Sequence, residues 1–164
     1  MTIYPEEQNN KFALSLQEPK EFALKFRAPT WADGTNKVLI NGDEVQAECK
    51  PGEWMTFTRI WNNEDTITIA YEFELKFTPV DECSKDVVAL SYDPIVLRAE
   101  DMVLLIGNAD HPENWIHKVE GEHYVFETDK GHIGGYDFVT KRFKPYYKVP
   151  AMEWYFMYNR IKTE

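Results

Sequence analysis

Little in this chain points to chemistry. Cysteine occurs twice, at Cys49 and Cys83. Two thiols without a Cys-x-x-Cys spacing do not make a zinc framework. Whether they pair is left open, because a disulfide needs Cα atoms within ~7 Å of each other. Basic residues are few, 18 against 28 acidic ones, for a formal charge of −10. Nucleic acid is therefore not an expected partner, since phosphate binding needs clustered Lys and Arg. The acidity serves solubility and leaves glycan binding open, because neutral sugars are held by stacking and hydrogen bonds. No apolar run reaches the ~18 to 20 residues that span a bilayer, so no membrane partner is expected. Residues Thr2–Glu7 lack the basic start and apolar segment of a signal peptide. Two readings follow, a cytoplasmic protein or, preferred, an excised piece whose Met1 is an expression start. There is no Gly-x-Ser-x-Gly elbow. Gly131 and Gly134-Gly135 lack the strand-to-helix setting and the Lys-Ser/Thr of a phosphate loop. No cofactor is expected.

What is present is a β pattern. Aromatic residues make up 15% of the 164 residues, which suits pleated faces. From Phe22 to Phe26 the chain alternates, with Phe22, Leu24 and Phe26 on one face and Ala23 and Lys25 on the other. This is the period of a half-buried strand. Pro29 ends it, having no N–H to donate. Val38 and Ile40 restart the alternation, and Asn41-Gly42 supplies two residues that tolerate positive φ in a tight hairpin. A first strand is expected over Phe12, Leu14 and Leu16, another over Trp54–Trp61, and one long strand over Thr66–Phe77. Shorter strands follow at 87–90, 95–97, 115–119, 123–127, 138–143 and 154–161, and Met102–Ile106 is an apolar run that closes on Gly107-Asn108. No amphipathic helix is evident. The fold class is all-β: an antiparallel β-sandwich, jelly-roll-like, followed by a smaller second β-unit. Composition shifts at Glu100-Asp101, so residues 1–100 are assigned to the sandwich and 101–164 to the second unit, packed on it.

The order of motifs resembles a known family. Tyr4-Pro5 opens, followed by Phe22-Ala-Leu-Lys-Phe-Arg-Ala-Pro-Thr-Trp31 and Val38-Leu-Ile-Asn-Gly42. Arg59-Ile-Trp61 leads into Asp65-Thr-Ile67. Val88-Ala-Leu90 precedes Asp93-Pro94-Ile-Val-Leu97, and Pro145-Tyr-Tyr147, Glu153-Trp-Tyr155 and Tyr158 close the series. This resembles the C-terminal β-sandwich region of β-L-arabinofuranosidase-like enzymes, glycoside hydrolase family 127 and relatives such as family 146. The family usually has Gly-Pro where this chain has Asp93-Pro94. In those enzymes a zinc-bound cysteine nucleophile and a carboxylate acid/base lie in an N-terminal (α/α) toroid, and nothing in this chain matches it. The resemblance thus implies a noncatalytic accessory region, not an enzyme by itself. Its expected partner is the catalytic toroid of a parent protein, or else a second copy in a homo-oligomer. A periplasmic or secreted parent is compatible with it. The alternative is an independent carbohydrate-binding module for plant-type glycans.

Candidate residues follow from these two readings. Sandwich modules hold sugars with exposed aromatic rings and polar neighbours. Trp115, beside Asn114 and His117, is the leading carbohydrate-binding candidate. Trp31, after a proline at a strand end, is the second. Even for Trp115 packing is the favoured reading, since most tryptophans are largely buried. Trp54, Trp61 and Trp154 sit in alternating stretches and are expected in the core. Catalysis by a carboxylate pair needs a pocket. Glu72 and Glu74, on one face of the expected long strand, read equally well as a solvated face. His111, His117, His123 and His132 fall close together, and His117 and His123 are expected to face each other across Gly121. They lack a zinc spacing, and no metal ligands are assigned. Arg27 and Arg59 are read as structural partners at strand ends.

Overall fold

The computed structural model describes residues 8–32, 37–46 and 50–163. Cys49 lies outside them, as does the Tyr4-Pro5 motif. The chain divides into two compact units, Met1–Phe73 and Glu74–Glu164. That division falls upstream of the composition shift at Glu100-Asp101. Helical structure among the described residues is confined to 3-10 turns at Pro112–Asn114 and Tyr146–Lys148.

The N-terminal unit is built from β1 (Asn9–Ala13), β2 (Lys20–Arg27), β3 (Lys37–Ile40), β4 (Asp43–Val45), β5 (Trp54–Trp61) and β6 (Thr66–Ala70). One sheet runs β1-β6-β3-β4 and a second pairs β2 with β5, all antiparallel. The alternation read from sequence is what joins them. Phe22, Leu24 and Phe26 from β2 and Met55, Phe57 and Trp61 from β5 meet Val38, Ile40, Ile67 and Ile69 from the other sheet. Trp61 is fully buried, and its Nε1 donates to the Phe22 carbonyl at 3.0 Å, so its one polar atom is satisfied. Asn41 and Gly42 have φ of 55° and 93°, as the β3–β4 hairpin requires. The first strand ends sooner than expected. Leu14 and Leu16 lie past β1, in an irregular segment from which they pack on the core.

Asp65 ties two turns together. Its carboxylate accepts from the Asn62 backbone N–H at 2.8 Å and from Asn41 Nδ2 at 2.9 Å, while Asn41 Oδ1 accepts from the Thr66 N–H. These donors, the Asn62 backbone foremost, hold the carboxyl below its ordinary 3.8, against the opposing effect of burial. A lowered folded-state value means the unfolded chain takes up a proton first as pH falls. The stabilisation is therefore complete above about pH 4 and is lost as pH drops through the folded value. Asp65→Asn is expected to lower the melting temperature at neutral pH and to flatten the acid limb of a Tm-against-pH plot. An unchanged acid limb would exclude Asp65 as a source of acid sensitivity.

The expected long strand over Thr66–Phe77 is a correction. It is two strands, β6 and β7 (Leu75–Pro79), in different units, with residues 71–74 outside either. Alternation continues through the break because Tyr71 and Phe73 pack edge-on against Trp31, at 5.4 and 5.7 Å between centroids. Burial of successive odd residues thus persists where the hydrogen-bonded ladder does not.

The C-terminal unit adds β8 (Val87–Tyr92), β9 (Ile95–Arg98), β10 (Leu104–Ile106), β11 (Ile116–Lys118), β12 (Phe126–Thr128), β13 (Arg142–Pro145) and β14 (Tyr158–Lys162). Their order is β10-β14-β8-β9-β13-β12-β11, with β7 also on β8. Pairing is antiparallel apart from β10–β14, which is parallel. Leu90, Ile95, Leu97, Leu105, Ile116 and Phe143 are fully buried and form its interior. The strands expected at 138–143 and 154–161 start later than the sequence suggested. Phe138 and Trp154 lie outside them and are each 86% exposed.

Candidate functional site

Trp115 is seated in the core of the C-terminal unit, 3% exposed. One ring face stacks on Phe77 at 5.8 Å and another ring contact is with His132 at 4.9 Å, both near parallel. Its Nε1 donates to the Asn108 carbonyl at 3.0 Å. Gly107 is glycine for this reason, since a Cβ there would lie 2.6 Å from the indole. The ring therefore has no open face for a sugar, and packing, not sugar binding, is what the structure shows for Trp115. Asn114 is exposed in the 3-10 turn. His117 is exposed on β11, with Nε2 3.0 Å from Asp129 Oδ2. It lines an open groove of about 600 Å³ with Glu127, Asp129, Lys130 and Thr140. Trp31 is half-buried against Tyr71 and Phe73. Trp31 belongs to the N-terminal unit and the other three candidates to the C-terminal unit.

The other expectations separate in the same way. His117 stands opposite Glu127 in the β11–β12 ladder, not His123, which packs on Tyr124. His111 pairs with Glu113, and His132 Nδ1 meets the Ile106 carbonyl at 2.7 Å. Glu72 and Glu74 are exposed, outside any strand and in different units. Arg27 and Arg59 do make backbone contacts, each through Nε at 3.4 Å, to Gly52 and Ile60.

What the sequence reading missed is at the surface. Of the fifteen large hydrophobic side chains exposed among the described residues, twelve belong to the C-terminal unit. Met102, Leu104, Tyr136 and Val139 line a groove of about 390 Å³ with Asp101 and Lys141. Lys141 pairs with Asp101, and burial of its ammonium lowers its pKa, partly offset by Glu100. Glu100 is in turn held low by its bond to Lys144. A second exposed group, Met152, Trp154 and Tyr155, lies in the segment joined to β9 by the Ala99–Phe156 bridge and the Arg98–Glu153 ion pair. Both groups thus attach to the stretch Arg98–Leu104. The one available signal was the clustering of Tyr, Trp, Met and Pro over 145–158, which the alternation reading absorbed into strands.

Comparison with known proteins agrees with this architecture. Residues 1–73 match the family described as Beta-L-arabinofuranosidase, GH127 middle domain, the same residues that form the N-terminal unit. No curated protein matches. Among solved structures, one titled a glycoside hydrolase superposes with a TM-score of 0.73 at 18% identity, over 98% of this chain and 31% of its own. A GH127 β-L-arabinofuranosidase from Geobacillus stearothermophilus T6 gives 0.70 at 19% identity, over 99% and 30%. A further GH127 β-arabinofuranosidase gives 0.73 at 18%, over 99% and 31%. The chain spans about 30% of the length of the structures it matches. Residues 1–73 carry the GH127 middle-domain signature, and the chain as a whole has the fold of a part of the GH127 arabinofuranosidases.

Proposed function

We propose that this chain is a noncatalytic accessory β-sandwich region of a GH127-type glycoside hydrolase, and that it packs on a catalytic (α/α) toroid. The observation that carries the reading is the exposed apolar surface of the C-terminal unit, where Met152 is 100% exposed and Trp154 nearly so. Exposed apolar surface on this scale marks an interaction site rather than ordinary solvent-facing surface. Arg98 supports the same conclusion. It is buried, its Nη2 is 3.5 Å from Glu153, and its Nε and Nη1 have no hydrogen-bond partner. An under-satisfied buried guanidinium is costly, and a covering partner that presses the Glu153 segment home would complete its bonds. Asp65 and Glu100 both have lowered pKa values, the opposite of what a general acid requires.

The test has two arms. The chain alone is assayed on an aryl β-L-arabinofuranoside, with no turnover expected. It is then co-expressed with a GH127 toroid lacking its own sandwich region, and hydrogen exchange of the complex is compared with that of the chain alone. Slowed exchange over Met102–Leu104 and Met152–Phe156 is the expected result. Turnover by the chain alone would overturn the reading, and so would protection confined to other segments.

A further inference from the structure

The two-stranded sheet of the N-terminal unit has a second face that is exposed among the described residues. In the β2–β5 register Arg27 stands opposite Trp54, Lys25 opposite Thr56, Ala23 opposite Thr58 and Glu21 opposite Ile60. All eight are exposed, whereas the alternate residues Phe22, Leu24, Phe26, Met55 and Trp61 turn to the core. Trp54 is 61% exposed, and among the described residues no ring packs on it. Lys25 and Arg27, two apart on one strand, project to the same side about 7 Å from each other. Neither has an ion-pair partner among the described residues, in a chain whose net charge is −10. Arg27 Nε is directed to the Gly52 carbonyl at 3.4 Å, which fixes the guanidinium at the Trp54 end of the sheet.

We propose that this face binds an acidic oligosaccharide. The Trp54 ring is a platform for the C–H face of one sugar. Lys25 and Arg27 sit where the carboxylates of neighbouring uronic acid residues would lie, and the Thr56 and Thr58 hydroxyls offer bonds to ring hydroxyls. A neutral glycan would leave both cations unused. A nucleic acid needs a longer run of Lys and Arg along its backbone than the two cations this face offers. The site is independent of the docking surface above, since its residues lie in the other unit.

The experiment is titration of the whole chain with an oligogalacturonide and, separately, a neutral oligosaccharide of the same length. Binding is followed by tryptophan fluorescence and calorimetry, at low and near-physiological salt. Saturable binding of the acidic sugar, weakened by salt, is expected, with about tenfold or greater loss in Trp54→Ala. The double variant Lys25→Gln/Arg27→Gln should lose affinity for the acidic sugar alone. All substitutions are on the solvent face, and unchanged melting curves confirm that the variants fold. No saturable binding, binding that survives both variants, or equal affinity for the neutral sugar would each overturn the proposal. None of these outcomes bears on docking to a toroid, which depends on Met152, Trp154 and Tyr155.

Discussion

Trp115→Ala is expected to destabilise the protein by about 3–5 kcal/mol, the cost of deleting a large aromatic from a packed interior. A urea titration followed by circular dichroism should show the midpoint shifted far down with little change in slope. The reasons are specific to its seat. Stacking against Phe77 and His132 is lost, the Asn108 carbonyl loses its donor, and a cavity opens beside Gly107. Trp115→Phe should recover part of the loss, since the ring stack survives while the Asn108 carbonyl stays unpaired. Gly107→Ala should cost about 1–3 kcal/mol through overpacking against the same indole. Trp154→Ala provides the contrast, as an exposed residue whose truncation should stay within about 0.5 kcal/mol. Trp115→Ala folding as stably as the parent would show that the indole is not part of the core.

The difference between these tryptophans also explains what was legible beforehand. The N-terminal sheets followed from period-two alternation and from Asn41-Gly42, because there a strand's burial pattern and its turn chemistry agree. Trp61 fell in the core as read. Trp54 did not, although it begins the same strand. It has the opposite parity to Trp61, and the bare face of a two-stranded sheet has no neighbour to bury it. Alternation likewise ran through Tyr71 and Phe73 without a ladder, so two strands read as one. In the C-terminal unit the strands are short, three to six residues each, and a period of two cannot be told from chance over so few positions. Trp115 stood as a sugar-site candidate only through its polar neighbours in sequence, Asn114 and His117, which say nothing of what Phe77 and His132 bring from elsewhere in the chain. The candidate docking surface was invisible for a related reason. Trp154 and Tyr155 look like core residues until the fold leaves them outside, and only the resemblance to a larger enzyme gave a reason to expect an apolar surface.

Replacing Met152, Trp154 and Tyr155 together by serine is expected to weaken association with a toroid by about a hundredfold or more while leaving the fold intact. Interface energy concentrates in a few buried anchors, most often Trp, Tyr and Arg, each worth about 2 kcal/mol or more, and about 1.4 kcal/mol is tenfold in Kd. These side chains are exposed in the chain alone, so their removal takes nothing from its own core. The triple variant should therefore melt with the parent, or slightly above it, and bind less of a hydrophobic dye. Sedimentation of the co-expressed pair separates the outcomes. Loss of the complex with an unchanged melting curve places the anchors at the interface. A complex that persists at the parent affinity would move the interface elsewhere, and a collapsed melting curve would mean that these residues support the fold instead. Arg98→Met refines the assignment. If docking completes the guanidinium's hydrogen bonds, this variant should stabilise the isolated chain, by removing an under-satisfied buried charge, and weaken the complex. A stabilised chain with an unweakened complex would separate Arg98 from docking and leave its burial to the fold alone.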